Sequence, residues 1–477
     1  MPDKGYLNKT KIVATVGPAI SSREMLKQLV LEGVNVFRLN FSHGKHEDHK
    51  QVIDYVLEIN EELQTNVALL ADLQGPKLRI GEVENNAVML VEGTELEFVN
   101  EKCMGTAQKV YMSYTLFPYD VQIGDIILID DGKLKLEATF TNRKNTVKAK
   151  VIHGGILSSK KGVNLPNTRI SLPSLTPKDI EDAEFALENN VDWIALSFVR
   201  SVTDIADLKD LIKKKKKHAK VIAKIEKPEA LLEIDNIIDV TDGVMVARGD
   251  LGVEMPFQEV PLMQKMLVEK CIRSAKPVII ATQMMESMIQ NFSPTRAETN
   301  DVANAVIDGA SALMLSAETS VGKYPVEVIQ NMRKIISFTE QNGYPYYREH
   351  SPSVKNHTFI ADSTCSSAAK MAQQTLAKSI IVLTNSGYTA FRIASHRPNA
   401  NIYAFTPDKG LLRQMSILWG TRTIHSAEFL FTSDAIEFTL KYLKEKDLIE
   451  ENELVVHVGS MPLNKRGQTN MVKLSYF

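Results

Sequence analysis

VIAKIE at 221–226, VMVARGD at 244–250 and VIIATQM at 278–284 are three apolar runs that each end in residues able to do chemistry. Strands buried on both faces of a parallel sheet read as unbroken apolar stretches, so a polar residue at the carboxyl end marks where the strand meets solvent and ligand. Lys224, Glu226, Asp250 and Thr282 are therefore expected to converge. One ammonium, two carboxylates and a hydroxyl point to a hard divalent cation and an oxyanionic ligand.

The same signature recurs outward from this stretch. Between Thr10 and Glu318 an apolar strand, a polar turn and an amphipathic helix repeat, with glycine or asparagine ahead of the next strand. Strands are expected at 11–17, 34–42, 67–72, 192–200, 221–226, 243–250, 277–283 and 312–318. Helix starts fall between them. Ser21 with Glu24 reads as a capping box, Thr176-Pro177 as an N-cap with proline in the first turn, and Ser293-Pro294 as the same device again. Strand and helix alternating eight times predict an α/β chain built on a (β/α)8 TIM barrel, with its chemistry at the carboxyl ends of the strands.

The repeat breaks once. From Gly75 to Ser171 the pattern changes to short alternating strands such as AVMLVEG at 87–93, DIILIDDG at 125–132 and TVKAKVIHGG at 146–155, divided by glycine and asparagine turns. This predicts a small β-barrel domain inserted after the third barrel strand, placed to cap the reactive face. Past the polar stretch NGYPYYREHSPS at 342–353, the runs SIIVLT, NIYAFT and ELVVHVG alternate with helical patterns and predict a C-terminal α/β domain with an open sheet. The expected divisions are barrel at 1–73, inserted cap at 74–171, barrel again at 172–341 and C-terminal domain at 342–477.

At 477 residues the chain exceeds what one core fills, which agrees with several domains. Its 44% apolar and 24% charged residues are those of a globular protein, and a net charge of −2 gives no support for nucleic acid as a partner. No run approaches a membrane span, and the first residues carry no secretory pattern. Cys103, Cys271 and Cys365 fit neither a disulfide framework nor a zinc site, so the cytoplasm is the expected compartment. The run Lys213 to Lys217 follows the amphipathic Ile205, Leu208, Leu211 and Ile212 and reads as a solvated helix end.

In chain order the barrel strand ends offer Arg38, Asn40 and Ser42; Asp72; Lys224 and Glu226; Arg248 and Asp250; Thr282; then Ser316 and Glu318. Each alone reads as a cap or a salt bridge. Together on one face they form a group whose charges call for a ligand or metal. With TKIVATVGPA, FRLNFSHG, ADLQGPKLR, KKGVNLP, IAKIEKPEA, VMVARGDLGVE, ATQMMESM, SPTRAETNDVANAV and LMLSAETSVGKYP in this order and spacing, the chain resembles pyruvate kinase along nearly its full length. RGDLG alone is weakly specific; the ordered set is highly specific.

The resemblance implies transfer of the phosphoryl group of phosphoenolpyruvate to ADP, giving pyruvate and ATP, the last step of glycolysis. It implies that Glu226 and Asp250 hold Mg²⁺, with Mn²⁺ as a substitute, while Lys224 and Arg38 bind and stabilise the transferring phosphoryl group. The amides of Gly249 and Asp250 would cradle the substrate carboxylate, and Thr282, with Ser316 and Glu318, would serve the relay that protonates the enolate. Asn40, His43, Arg79 and Lys161 match nucleotide-contacting positions. In the C-terminal domain Thr384, Asn385, Ser386, Gly387 and Thr389 match a loop that takes a phosphorylated effector, and a homotetramer is the family's common assembly.

Many members need K⁺, held by an Asn, a Ser, an Asp and a Thr carbonyl. Asn40, Ser42 and Asp72 are present, but Leu73 and Gln74 replace the usual Thr and Lys, and Lys77 replaces a Glu. A fixed ammonium supplies the charge K⁺ brings, so this resembles the K⁺-independent branch. Asn385 stands where fructose bisphosphate-responsive members carry a Lys, and the loop at 459–470 departs from the mammalian pattern, which leaves the effector open. Two other readings stay open on residues alone: a Mg²⁺-dependent lyase acting on pyruvate-like enolates, and a catalytically silent metabolite sensor.

Overall fold

The computed structural model describes residues 8–166, 168–352, 357–463 and 469–477. Eight parallel strands form a closed barrel: β1 (Lys11–Thr15), β2 (Val36–Asn40), β3 (Ala68–Asp72), β4 (Trp193–Leu196), β5 (Lys220–Ile225), β6 (Gly243–Ala247), β7 (Val278–Ala281) and β8 (Ala312–Leu315). Each pairs with its sequence neighbours, and β8 returns to β1 with Lys11 opposite Ala312.

The apolar runs are explained by a split in the core. Val13, Leu70, Ile222, Met245 and Ile279 belong to the barrel interior, while Ile12, Leu69, Val221, Val244 and Ile280 pack under the outer helices. Both faces of every strand are buried, so the period of two is written in side-chain volume rather than polarity. The interior cluster continues downward into the C-terminal domain through Trp193, whose Nε1 donates to the Gln414 carbonyl at 3.1 Å.

Seven of the eight barrel strands stop earlier than the sequence suggests, and β4 and β6 show why. β4 ends at Leu196 because the chain turns at Phe198, with φ 54°, and its N–H donates to Glu226 Oε2 at 2.6 Å. β6 ends at Ala247 because a helix, Arg248–Glu254, starts there and carries Asp250 in its first turn. Helix caps also shift. Thr176 caps Pro177–Glu188 as expected. Ser22, not Ser21, caps Arg23–Glu32, and Thr295, not Ser293, caps Arg296–Asp308 in a box with Glu298. In both corrected cases the residue next to the first helical position provides the oxygen, because only it reaches the free amides of that turn.

The inserted domain has its own core around Leu96, Phe98, Ile127, Leu136 and Val147. Its six-stranded sheet runs from Val163–Asn164 at one edge to Lys109–Tyr111 at the other. Arg79 bridges Gly162 and Ile80 bridges Met112, so one segment joins both edges and closes the sheet on itself. Two tethers fix its connections to the barrel. Asp179 Oδ1 accepts the Gly75 N–H at 3.0 Å, and Arg200 donates to the carbonyls of Ile170 and Leu172, both at 2.6 Å. Gly75 has φ +69°, and a Cβ there would lie 2.8 Å from the Ser197 side chain, so the first connection requires glycine.

The C-terminal sheet contains β9 (Ser379–Leu383), β10 (Asn401–Thr406), β11 (Thr421–His425), β12 (Leu454–Ser460) and β13 (Thr469–Tyr476), in the order β11-β10-β9-β12-β13 with only β13 antiparallel. His396 and His457 are buried here. Burial lowers their imidazoles to about 3 and about 4, and among the described residues the Nδ1 of His457 has no hydrogen-bond partner. An unfolded imidazole binds its proton near pH 6.5, so below that value the unfolded chain holds more protons than the folded one. Stability is therefore full above about pH 6.5 and is lost as pH falls toward 4, by roughly 2 kcal/mol per histidine at pH 5. Thermal melts at pH 7 and pH 5 should show this fall, and His457→Gln should reduce it by about half; an identical pH dependence in the variant would contradict the assignment.

Candidate active site

Asp72 ends β3 at the centre of the barrel's carboxyl-terminal face, and its carboxylate is shared by two cations. Arg38, from β2, places Nε 2.6 Å from Oδ2 and donates from its guanidinium to Thr15 Oγ1 at 3.1 Å. Lys224, from β5, lies 3.0 Å from Oδ1. That last approach is off the line of a hydrogen bond, so it is an ion pair that leaves Oδ1 without a hydrogen-bond partner. The Lys224 ammonium also meets Glu226 Oε1 at 2.9 Å and donates to Ser197 Oγ at 2.6 Å.

Burial works against charge on Lys224, but Asp72 and Glu226 outweigh it and hold its pKa above the ordinary lysine value. Burial likewise works to raise the Asp72 carboxyl, and the Lys224 and Arg38 charges prevail and keep it low. Glu226 goes the other way. Burial raises it, Lys224 offsets part of that, and repulsion from Asp250 adds to it. Glu226 and Asp250 thus form a repelling carboxylate pair beside a single ammonium, Lys224, which Glu226 shares with Asp72.

That pair is the only part of the arrangement suited to a divalent metal. Among the described residues no three His, Cys, Asp or Glu side chains converge as a metal cage. Two carboxylates that repel each other, with the other positions left to substrate oxygens and water, match the open hard-oxygen site Mg²⁺ prefers. The donor set therefore fits the ion.

Beside it, Thr282 sits at φ 68° with Oγ1 accepting the Gly249 N–H at 2.7 Å and donating to the Ala281 carbonyl at 2.6 Å. The Gly249 amide expected to cradle a carboxylate is thus engaged by Thr282. Arg248 clamps this turn from behind, donating to the Thr282 carbonyl at 2.8 Å and pairing with Asp301 at 2.8 Å. Ser316 and Glu318 lie at the end of β8. The Glu318 carboxylate accepts the amides of Ser316 at 2.7 Å and Met285 at 3.2 Å, an arrangement that braces the backbone.

Asn40 Oδ1 accepts the Ser42 amide at 3.1 Å, and the His43 carbonyl meets His49 Nε2 at 3.1 Å, so this loop after β2 is held by local bonds. Arg79 and Lys161 belong to the cap. Arg79 donates to the Lys160 carbonyl at 2.9 Å, and Lys161 pairs with Asp130 at 2.8 Å. Lys77 is exposed and lines the cleft beside Asp131 and Asp250; among the described residues it forms no ion pair with Asp72. Farther away, Thr384, Asn385, Ser386 and Thr389 line a cavity of about 300 Å³ with Phe405 and Phe429. Gly387 donates its amide to Thr384 Oγ1 at 2.9 Å. Residues 464–468 of the adjoining loop lie outside the described residues.

Sequence reasoning missed several supporting groups. Ser197 and Thr15 show no pattern that sets them apart from ordinary strand-end hydroxyls. Glu254 is four residues after Asp250 on one helix, a spacing that was visible. It pairs with Lys227 at 2.7 Å and accepts from Asn164 of the cap at 2.8 Å, which ties cap to barrel.

Comparison with known proteins agrees with this geometry. The family description "Pyruvate kinase, barrel domain" matches residues 7–329, and "Pyruvate kinase, alpha/beta domain" matches 362–475. A pyruvate kinase of Geobacillus stearothermophilus is 40% identical over 468 residues, covering 98% of this chain and 80% of the relative. One from Staphylococcus aureus is 39% identical over 470 residues, with the same coverage. A crystal structure of a pyruvate kinase from Cryptosporidium parvum aligns with a TM-score of 0.91 at 32% identity, covering 98% of this chain and 96% of that one. The matches run from the barrel through the C-terminal sheet along almost the whole chain, and the chain belongs to the pyruvate kinase family.

Proposed function

We propose that this chain runs the pyruvate kinase reaction, phosphoryl transfer from phosphoenolpyruvate to ADP, with Mg²⁺ at Glu226 and Asp250, without a need for K⁺, and under activation by a phosphorylated metabolite. The observation that carries the catalytic assignment is the Lys224 ammonium, held between Asp72, Glu226 and Ser197 at the centre of the reactive face. Its raised pKa keeps it charged at any working pH, as an electrostatic stabiliser must be.

In this reading Arg38 and Lys224 bind the phosphoryl oxygens from two sides and stabilise the charge that spreads over them during transfer. Mg²⁺ held by Glu226 and Asp250 would supply positive charge that offsets charge on substrate oxygens. Thr282 orients a water that protonates the enolate, since its own hydroxyl is too weak an acid. The Asp250 amide faces the substrate carboxylate, and the Gly249 amide joins it when Thr282 Oγ1 turns away. Arg79 and Lys161 approach the nucleotide from the cap, Lys161 exchanging Asp130 for phosphate, while Asn40 and His43 approach it from the barrel. A lyase has no use for those cap residues, and a silent sensor would have no reason to retain the Lys224 cluster.

K⁺ independence rests on Leu73, Gln74 and Lys77, with Lys77 contributing its charge to the cleft beside Asp250. Activation rests on the hydroxyl-rich loop at Thr384–Thr389 and its cavity. A cytoplasmic location is supported by three free cysteines. A homotetramer is supported by bare apolar side chains on the barrel, Phe257 and Leu262, at 81% and 65% exposure.

Lys224→Met is expected to lower kcat for pyruvate formation by at least about a hundredfold, as loss of one preorganised charge does elsewhere, with a smaller change in KM for phosphoenolpyruvate. Retained turnover would remove Lys224 from the chemistry. Turnover in tetramethylammonium salts should equal that in KCl; a stimulation by K⁺ of two orders of magnitude would overturn the role given to Lys77. A panel of sugar phosphates and AMP should contain at least one compound that shifts the phosphoenolpyruvate saturation curve leftward, and no response to any of them would reject activation through Thr384–Thr389.

A further inference from the structure

The lysine run singled out in the sequence plays no part in catalysis, and the fold gives it a shape that a solvated helix end does not have. The helix Val202–Lys214 ends at the amino-terminal side of the barrel, and β5 starts a few residues later. Between them is a hollow of about 500 Å³ lined by Lys209, Lys213, Lys216, Lys217, His218 and Lys220. Five lysines face one carboxylate, Asp242.

Attraction to the helix carboxyl terminus accounts for Lys213 and Lys214, which lie in its last turn. It does not account for lysines from the following turn and from β5 entering the same hollow. Nor is Asp242 free to balance them. Its Oδ2 already accepts the Val221 amide at 2.9 Å and pairs with Lys209 at 3.1 Å. Lys217 is tied to Asn190 Oδ1 at 3.0 Å, a neutral partner.

Lys220 is the decisive side chain. It is half-buried, its ammonium lies 5.3 Å from the ring centroid of Phe391, and among the described residues it has no ion pair. Burial first, then repulsion from Lys209, hold its pKa below the ordinary value despite Asp242. Lys276 nearby is lowered by burial as well, with Lys209 and Lys220 adding repulsion. Cations gathered in a concavity at the cost of mutual repulsion lack an anion.

We propose that this hollow is a binding site for a compact oligophosphate, the chemistry shared by free polyphosphate and by a nucleotide tail. Several adjacent negative charges are needed to meet ammoniums spread around the rim, and lysine suits them because it binds phosphate as a point charge without demanding one geometry. The site is far from the reactive face, at the opposite end of the barrel. Its walls reach the C-terminal domain, since Gln414 donates to the His218 carbonyl at 2.7 Å and Phe391 lies on the helix Tyr388–Ser395 that follows the Thr384–Thr389 loop.

The test is calorimetric titration of the full chain with sodium tripolyphosphate at 150 mM salt, wild type against the triple variant Lys213→Gln/Lys216→Gln/Lys217→Gln. Lys213 and Lys216 are exposed, Lys217 is half-buried, and all three are outside the catalytic machinery, so unchanged pyruvate formation certifies that the variant is folded. Tripolyphosphate also meets cations at the nucleotide and effector sites, and the difference between the two proteins isolates the hollow. Saturable binding that weakens at least tenfold in the variant is expected. A parallel titration with ATP that shows the same difference assigns the nucleotide tail, and one that shows none assigns the free oligophosphate. Equal tripolyphosphate affinity in the two proteins, or no saturable binding to wild type, overturns the proposal.

Discussion

A single carboxylate organises the reactive face. Asp72 is buried at the end of one strand and holds a cation from each of two others, Arg38 and Lys224, so it fixes three strand ends relative to one another through charge. Taking these groups out of water is unfavourable for each alone, and only the mutual attraction makes their burial tolerable. Lys224 in turn gathers Glu226 and Ser197. The geometry that reacts is therefore set by pairings among protein groups before a substrate arrives, which is what preorganised electrostatic catalysis requires.

The balance of these charges also explains where ligands enter. Asp72 and Glu226 are matched by Arg38 and Lys224, while Asp250 stands as an extra negative charge against Glu226. A local surplus of negative charge of this kind would suit a divalent cation, whose own charge would favour an anionic ligand at the same place. The cap adds the remaining charges from above. Its lysine and arginine are engaged by protein atoms in this arrangement, Lys161 by Asp130 and Arg79 by the Lys160 carbonyl, so either would have to exchange partners to meet a ligand.

Most of the fold was legible because the barrel strands are short and buried on both faces, which leaves apolar runs recurring in alternation with helical patterns. The interrupting cap was legible for the opposite reason: alternation in Ile126–Ile129 and Thr146–His153 reflects one face toward a core and one toward solvent. What the sequence hid was direction at the strand ends. Nothing in the run at 192–200 shows that Phe198 turns its amide toward Glu226, because that bond joins residues 28 apart. Caps were misplaced by one or two residues for a related reason, since several serines and threonines near a helix start are equivalent until the chain's approach chooses one. In the site, residue types that bear charge were visible, and the supports that aim them were not. Ser197 and Thr15 act through contacts that no local spacing encodes.

The barrel interior has no floor of its own. Trp193 is fully buried, with its ring among barrel side chains and its N–H bound to the Gln414 carbonyl, while Arg413 pairs with Asp192 at 2.9 Å beside it. Lys11, at the other side of the opening, donates to the Thr421 carbonyl at 2.8 Å. The C-terminal domain thus acts as a stopper for the barrel as well as a domain beside it. Excising it would bare the Trp193 indole and leave Asp192 and Lys11 without their partners at the bottom of the catalytic half, so the barrel's interior packing is completed by a domain that takes no part in the reactive face.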